Sequence, residues 1–73
     1  MRKHEQIAVG DKVLVAPFQG NGANEVAKQM AGKEGVVTST GNDALHGIYY
    51  YVQLPGRVRP DSFYRQEIVK IVD

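Results

Sequence analysis

The chain has 73 residues, enough for one domain with a thin core, because a domain of this size buries only about 60% of its unfolded surface. Its formal net charge is +1, from nine Lys and Arg against eight Asp and Glu, so no global field attracts nucleic acid. Cysteine is absent, which excludes disulfides and thiolate metal sites, and no apolar run approaches the roughly 18 residues that span a bilayer.

The polar N-terminus, residues 1–6, is predicted to be a flexible tail, followed by a single domain over residues 7–73. Its basic residues are not followed by an apolar segment, so no signal peptide is indicated. We therefore expect a cytoplasmic protein without a membrane partner.

The first strand is predicted at Lys12–Val15, directly after a turn at Gly10-Asp11. Its residues alternate, so Val13 and Val15 are expected to share the face that is turned to the core. Pro17 lacks a backbone donor, and a central strand should therefore end just before it.

A short helix is predicted in the long segment that follows, over Asn24–Ala31. The asparagine at its start is a favourable N-cap residue, and Gly32 is typical of a helix C-terminus. Val26 and Met30 are four residues apart, so they are expected to dock together on the β-structure.

The rest of the chain is predicted as further strands: Gly35–Thr40, Ile48–Leu54, Arg57–Arg59 with a resumption at Phe63-Tyr64, and Val69–Val72. Turns are expected at Gly41-Asn42-Asp43 and at Pro55-Gly56. A 3₁₀ turn is expected at Gln66-Glu67-Ile68, and in the last strand Val69 and Ile71 are expected to point inward.

The strand Ile48–Leu54 carries the most informative alternation. Four of its side chains are expected in the core: Ile48, Tyr50, Val52 and Leu54. Tyr49 and Tyr51 then stand together on the outer face, and Arg57 and Arg59 share that face if the next hairpin is regular. Alternatively, the two tyrosines pack beneath the helical insertion or the N-terminal tail.

Tyrosine beside arginine is the composition of a protein-binding hot spot and also of a platform for single-stranded nucleic acid. The segment 16–33 is expected to form an ordered insertion that contacts the same partner. The predicted partner-binding residues are Tyr49, Tyr51, Arg57, Arg59, Asn24, Lys28 and Lys33.

Two phrases resemble KOW-type members of the SH3-like barrel superfamily: Gly10-Asp11-Lys12-Val13-Leu14-Val15 and Gly32-Lys33-Glu34-Gly35-Val36-Val37. The tail 63–71 also looks like the end of such barrels, where a 3₁₀ turn carries an apolar residue into the core. The resemblance implies an all-β fold, a small and strongly bent five-stranded SH3-like barrel, with a short helical insertion after the first strand. The gap between the two phrases is longer than KOW modules usually have.

The function that we expect is a non-catalytic binding module, a protein-interaction adaptor without a cofactor. A nucleic-acid-binding KOW-like module is the first alternative. The second is an oligomeric enzyme similar to the plasmid-borne dihydrofolate reductases, SH3-like barrels that form one active pore from four copies. Their Val-Gln-Ile-Tyr pore strand is replaced here by residues 59–64.

No catalytic or metal-binding residues are predicted. Asp43 and His46 share one loop, but two candidate ligands in one loop make a poor metal or acid–base site. Leu14 and Val72 are expected to point outward. Exposed apolar residues on short edge strands favour pairing with a strand of another chain, so the sequence leaves a homodimer as an alternative.

Overall fold

The computed structural model describes residues 6–16, 24–45 and 47–72. Its elements, in chain order, are β1 (Lys12–Val15), α1 (Glu25–Gln29), β2 (Glu34–Asp43), β3 (Gly47–Gln53), β4 (Asp61–Tyr64), a 3₁₀ turn (Arg65–Glu67) and β5 (Ile68–Lys70). The prediction of an all-β, five-stranded fold with a short helix after the first strand is confirmed. Residues 1–5 of the predicted tail, residues 17–23 of the predicted insertion, His46 and Asp73 lie outside the described residues.

The five strands form one antiparallel sheet in the order β4-β3-β2-β1-β5. In a flat sheet the two edge strands would lie about 19 Å apart, since neighbouring strands are about 4.8 Å apart. The four residue steps from Tyr64 to Ile68 reach only about 14 Å even when fully extended. The sheet must therefore curl strongly, although no ladder joins β4 to β5 in the described ranges.

The core fills the concave side of this curled sheet. Its buried hydrophobic residues are Ile7, Val13, Val15, Ala27, Val37, Tyr50, Val52, Leu54, Phe63 and Ile68. The predicted inward faces of β1 and β3 are therefore confirmed, with one correction: Ile48 is 52% exposed. It lies near the far end of the β2–β3 hairpin, which extends beyond β1, because β1 pairs only with the Glu34–Val36 part of β2.

The inward face of the last strand was predicted wrongly. Val69 is 51% exposed, whereas Ile68 is buried opposite Val15. The 3₁₀ turn ends at Glu67, one residue earlier than predicted, so Ile68 is the apolar residue that enters the core. Because strand side chains alternate, this shift of one residue turns Val69 outward.

Helix α1 follows its sequence signals. The Oδ1 atom of Asn24 accepts a hydrogen bond of 2.9 Å from the backbone N–H of Val26, which is N-capping geometry. Val26 and Met30 pack against the core as predicted, and Ala27 between them is fully buried. Gly32 has a φ of 85°, the left-handed conformation in which a helix is commonly terminated.

Strand β2 contains a bulge and runs further than predicted. Val37 pairs with Val52, and Ser39 pairs with Tyr51, so Thr38 is an extra residue between the two pairs. The turn predicted at Gly41-Asn42-Asp43 is wrong, since these residues continue β2 opposite the first half of β3.

A buried carboxylate joins the ends of three elements. Glu67 is 2% exposed; its Oε1 accepts from the backbone N–H of Tyr64 at 2.9 Å and its Oε2 from that of Asn24 at 3.2 Å. The Glu67 carbonyl accepts from the N–H of Ala16 at 2.9 Å, just after β1. One residue thus connects β4, the N-terminus of α1 and the end of β1.

Replacing this carboxylate by its amide should destabilise the fold. Glu67→Gln keeps one acceptor oxygen but turns an NH₂ group toward the second N–H, which should cost about 1–3 kcal/mol in the free energy of unfolding. Urea denaturation measures the loss, with the exposed Glu34→Gln as the matched control. Equal stabilities of the two variants would contradict the role given to Glu67.

Gly35 has no room for a side chain. A Cβ there would lie 2.6 Å from the backbone oxygen of Gln53 and 2.6 Å from Cγ1 of Val52. Gly35→Ala should therefore force a backbone shift and cost about 1–3 kcal/mol in the free energy of unfolding. Ser39→Ala in the same strand is the control, because Ser39 is exposed and its replacement should change the free energy of unfolding by less than about 0.5 kcal/mol.

Candidate functional site

Three tyrosines lie together on the outer side of β3 and β4. Tyr64 pairs directly with Tyr49, and Tyr51 is the next outward residue along β3. All three are partly exposed. We call Tyr49, Tyr51 and Tyr64 the tyrosine face.

The rings of the tyrosine face contact one another edge to face. The Tyr49 and Tyr51 ring centroids are 5.5 Å apart with an interplanar angle of 85°, and those of Tyr49 and Tyr64 are 6.4 Å apart at 86°. Such perpendicular pairs contribute about 0.5–1.5 kcal/mol beyond their buried area. The contacts therefore fix the three rings relative to one another.

A glycine lies beneath the central ring. Gly41 is the cross-strand partner of Tyr49, and a Cβ at this position would collide with Cζ, Oη and Cε1 of the Tyr49 ring. The missing side chain lets the ring cover the strand. Gly41 therefore continues the ladder of β2 with β3 instead of forming the predicted turn.

An acidic residue borders the tyrosine face. The Tyr64 hydroxyl donates to Oδ2 of Asp43 at 3.5 Å, and Oδ1 of Asp43 accepts from the N–H of Leu45 at 2.8 Å. Partial desolvation raises the pKa of Tyr64, and the Asp43 carboxylate raises it further. The phenol is therefore neutral at pH 7.

The predicted strand at Arg57–Arg59 is wrong, and these arginines are not on the sheet. They lie in the loop between β3 and β4, where Val58 is 96% exposed. The Arg57 guanidinium binds both oxygens of Asp61, at 2.9 and 3.0 Å. Asp61 pairs with the buried Val52, so it shares the core-facing side of β4 and not the tyrosine face.

Three predicted contact residues belong to the helical insertion. Asn24 uses its side chain internally, because Oδ1 caps α1 and Nδ2 donates to the Ser62 carbonyl at 3.0 Å. Lys28 is exposed and lies 3.4 Å from Glu25 on the solvent side of α1. Lys33 is exposed and precedes β2, at the opposite end of that strand from Gly41. The Asn24 side chain thus contacts the backbone of Ser62, the cross-strand partner of Tyr51, whereas Lys28 lies on α1 and Lys33 at the other end of β2.

A groove of about 670 Å³ opens on the concave side, at the end of the sheet where Ile48 is exposed. Its lining residues are Gln6, Ile7, Thr40, Ile48, Tyr50, Arg65 and Gln66. Among the described lining residues, Arg65 carries a formal charge and the others are neutral.

Two residues of the site were missed from the sequence. Tyr64 joins the face only because it pairs with Tyr49, and the strand wrongly assigned to Arg57–Arg59 obscured that register. The inward Phe63 before it is the local signal that could have identified Tyr64 as outward-facing. Asp43 was assigned to a turn, so its position beside the tyrosines was not foreseen.

Within the described ranges, no group of three or more His, Cys, Asp or Glu side chains could hold a metal ion. The α-helix in these ranges is too short and too polar to cross a membrane. Neither finding bears on His46, which lies outside the described residues.

Removing the Asp43 charge should lower the pKa of Tyr64. Asp43→Asn keeps an oxygen for the N–H of Leu45 but no longer opposes the phenolate, while the desolvation that raises the pKa remains. We expect the Tyr64 pKa to fall toward, but not to, its usual value of about 10. An NMR titration of the Tyr64 ring measures this value.

The raised pKa of Tyr64 also makes the stability of the fold depend on pH. Because the Tyr64 pKa is raised on folding, the phenol contributes stability below pH about 10, and this stability is lost as the pH rises through the folded pKa.

The control for Asp43→Asn is Glu25→Gln, on the exposed side of α1, which should leave the Tyr64 pKa unchanged. An unchanged Tyr64 pKa in Asp43→Asn would contradict the contact.

Comparison of the chain with known proteins identified no relative. No protein-family model, no curated protein and no solved structure matches the chain. The resemblance to KOW-type SH3-like barrels therefore stays a prediction.

Proposed function

We propose that the chain is a non-catalytic binding module that recognises another protein through its tyrosine face. The observation that carries the proposal is the perpendicular packing of Tyr49 against Tyr51 and Tyr64 on the outer side of the sheet. Clustered, partly exposed aromatic residues are enriched in protein-binding hot spots. Their hydroxyl groups add hydrogen-bonding capacity at the rim of a contact.

Rigidity supports this use of the tyrosine face. Tyr49 is held between Gly41 below it and the two neighbouring rings, so little side-chain freedom is left to lose when a partner binds. Each freely rotating side chain that is immobilised in an interface costs about 0.5–1.5 kcal/mol. A preorganised cluster avoids much of this loss.

Charge favours a protein partner over nucleic acid. Three basic residues are paired locally: Arg57 with Asp61, Lys28 with Glu25, and Lys70 with Asp11. Among the described contacts, the charged group that touches the tyrosine face is the Asp43 carboxylate, which repels phosphate groups. Because nucleic-acid binding depends on cations that neutralise phosphates, a carboxylate at this position supports a protein partner.

The test uses two double variants of the intact chain as affinity baits in a lysate of cells that express it. Tyr49→Ala with Tyr51→Ala should lose a bound protein that the unaltered chain retains at moderate salt and after nuclease treatment. Arg57→Ala with Arg59→Ala is the matched control and should retain it. Thermal unfolding checks that the tyrosine variant still folds, as expected for two partly exposed side chains.

Other outcomes would favour the alternatives. Binding that disappears with nuclease or with the arginine variant, and that weakens steeply with salt, would favour the nucleic-acid-binding module. A tetramer by light scattering would favour the oligomeric enzyme. A dimer that dissociates in a Val72→Ser variant would instead identify a contact at exposed Val72, without involving the tyrosine face.

A further inference from the structure

We propose that the loop between β3 and β4 is a second binding element, which inserts Val58 into an apolar pocket of a protein partner with a carboxylate at the rim of that pocket. The loop spans residues 54–60, and we call it the Val58 loop. Val58 is 96% exposed, and Arg59, which follows it, is exposed as well. The proposal goes beyond the tyrosine face and does not depend on what binds there.

The first half of the Val58 loop is a tight turn with a fixed backbone. Pro55 and Gly56 occupy its two central positions, and Gly56 has a φ of 78°. The backbone N–H of Arg57 donates to the Leu54 carbonyl at 3.2 Å and closes the turn. These features indicate a type II turn, in which proline presets one φ and glycine adopts the left-handed conformation. The path of the chain away from β3 is therefore fixed.

Arg57 ties the Val58 loop to both flanking strands. Its guanidinium donates to the two carboxylate oxygens of Asp61, the first residue of β4, at 2.9 and 3.0 Å. Its carbonyl accepts from Nε2 of Gln53, the last residue of β3, at 2.7 Å. A bidentate arginine–carboxylate pair fixes the orientation of both groups as well as their distance. Val58 therefore lies between this clamped residue and Pro60, whose φ is restricted by its ring.

The held backbone makes Val58 a preorganised anchor. A valine side chain has a single torsion, which its branched Cβ restricts further. Backbone and side chain therefore lose little freedom when a partner covers them, and this loss is a major cost of association. Because Val58 is almost wholly exposed, its burial removes nearly all of its apolar surface from water, which favours binding. A single exposed side chain of this kind fits a pocket better than a flat surface.

The charge of the Val58 loop selects an acidic rim on that pocket. The charge of Arg57 is compensated by Asp61, whereas Arg59 has no carboxylate within ion-pair distance in the part of the chain that the structure describes. A positive charge next to the apolar anchor is complementary to a carboxylate at the edge of the partner's pocket. One arginine neutralises few phosphates, and Val58 has no counterpart in a phosphate backbone, so the loop fits a protein.

The geometry is tested first without a partner, by ¹⁵N relaxation of the intact chain. The amides of Val58 and Arg59 should have order parameters that match those of β3 and β4, at about 0.85. Asp61→Asn keeps the shape of the side chain but removes the charge that Arg57 binds, so it should lower both values. Values below those of both strands in the unaltered chain would overturn the proposal.

The partner is tested by photo-crosslinking of the full chain in cells that express it. Photo-leucine, a diazirine analogue of leucine, is placed at position 58 and should form a crosslink to a protein. The same analogue at position 9 is the matched control, because Val9 is also exposed, at 61%, and should not give that product. No product at position 58, the same product at position 9, or a crosslink to nucleic acid would each contradict the proposal.

Variants then identify the contact, with the crosslinked protein purified as the probe. Val58→Ser should weaken its binding at least roughly tenfold, because the apolar anchor is lost, and Arg59→Gln roughly threefold, because the charge is lost. Val9→Ser is the control and should leave the affinity unchanged. Wild-type affinity in Val58→Ser, or a crosslinked surface without a carboxylate beside the contact, would refute the assigned chemistry.

The outcomes are distinguishable from those for the tyrosine face. Tyr49→Ala with Tyr51→Ala should leave the affinity for the crosslinked protein unchanged, and Val58→Ser should not release the protein that the tyrosine face retains. Loss of the same protein in both variants would show that the Val58 loop has no separate partner, and would leave the function of the tyrosine face supported.

Discussion

The fold depends on one buried carboxylate and the backbone groups that satisfy it. Two N–H donors, from Tyr64 and Asn24, offset the cost of burying the Glu67 side chain, and its own carbonyl holds Ala16. These bonds fix the end of β4, the start of α1 and the end of β1 at one point. Because the buried Glu67 carboxylate holds the backbone N–H of Tyr64, it also positions the Tyr64 ring that contacts Tyr49 on the outer side of the sheet. The outer cluster thereby takes its rigidity from the interior of the protein.

Much of the fold could be predicted because its signals are local. The alternation of Val13 and Val15 identified the buried face of β1, and Asn24 marked the start of the helix, since strand periodicity and N-capping involve residues within a few positions of each other. The pairing of Tyr49 and Tyr51 on the outer face follows from the same alternation and was predicted correctly as a placement. Their binding role stays a prediction.

The rest could not be predicted, because it depends on contacts between strands. Gly41 resembles a turn residue, but it continues the β2–β3 ladder, where it pairs with Tyr49 and lies beneath that ring. The alternation around Val58 resembles a strand, but none of the described strands pairs with it and the residue is exposed. Tyr64 and Asp43 join the site through the register of β4 and β2, which short sequence patterns do not encode.

The extra residue at Thr38 has a further consequence. Three residues separate Val37 from Gly41, so in a regular strand both would lie on the core-facing side of the sheet. The bulge at Thr38 changes this alternation and turns Gly41 outward beneath Tyr49. Strand β2 thus carries two independent phases, one that serves the core before the bulge and one that serves the outer surface after it. Substitutions beyond Ser39 can therefore alter the outer surface without changing the phase of the residues that fill the core before the bulge.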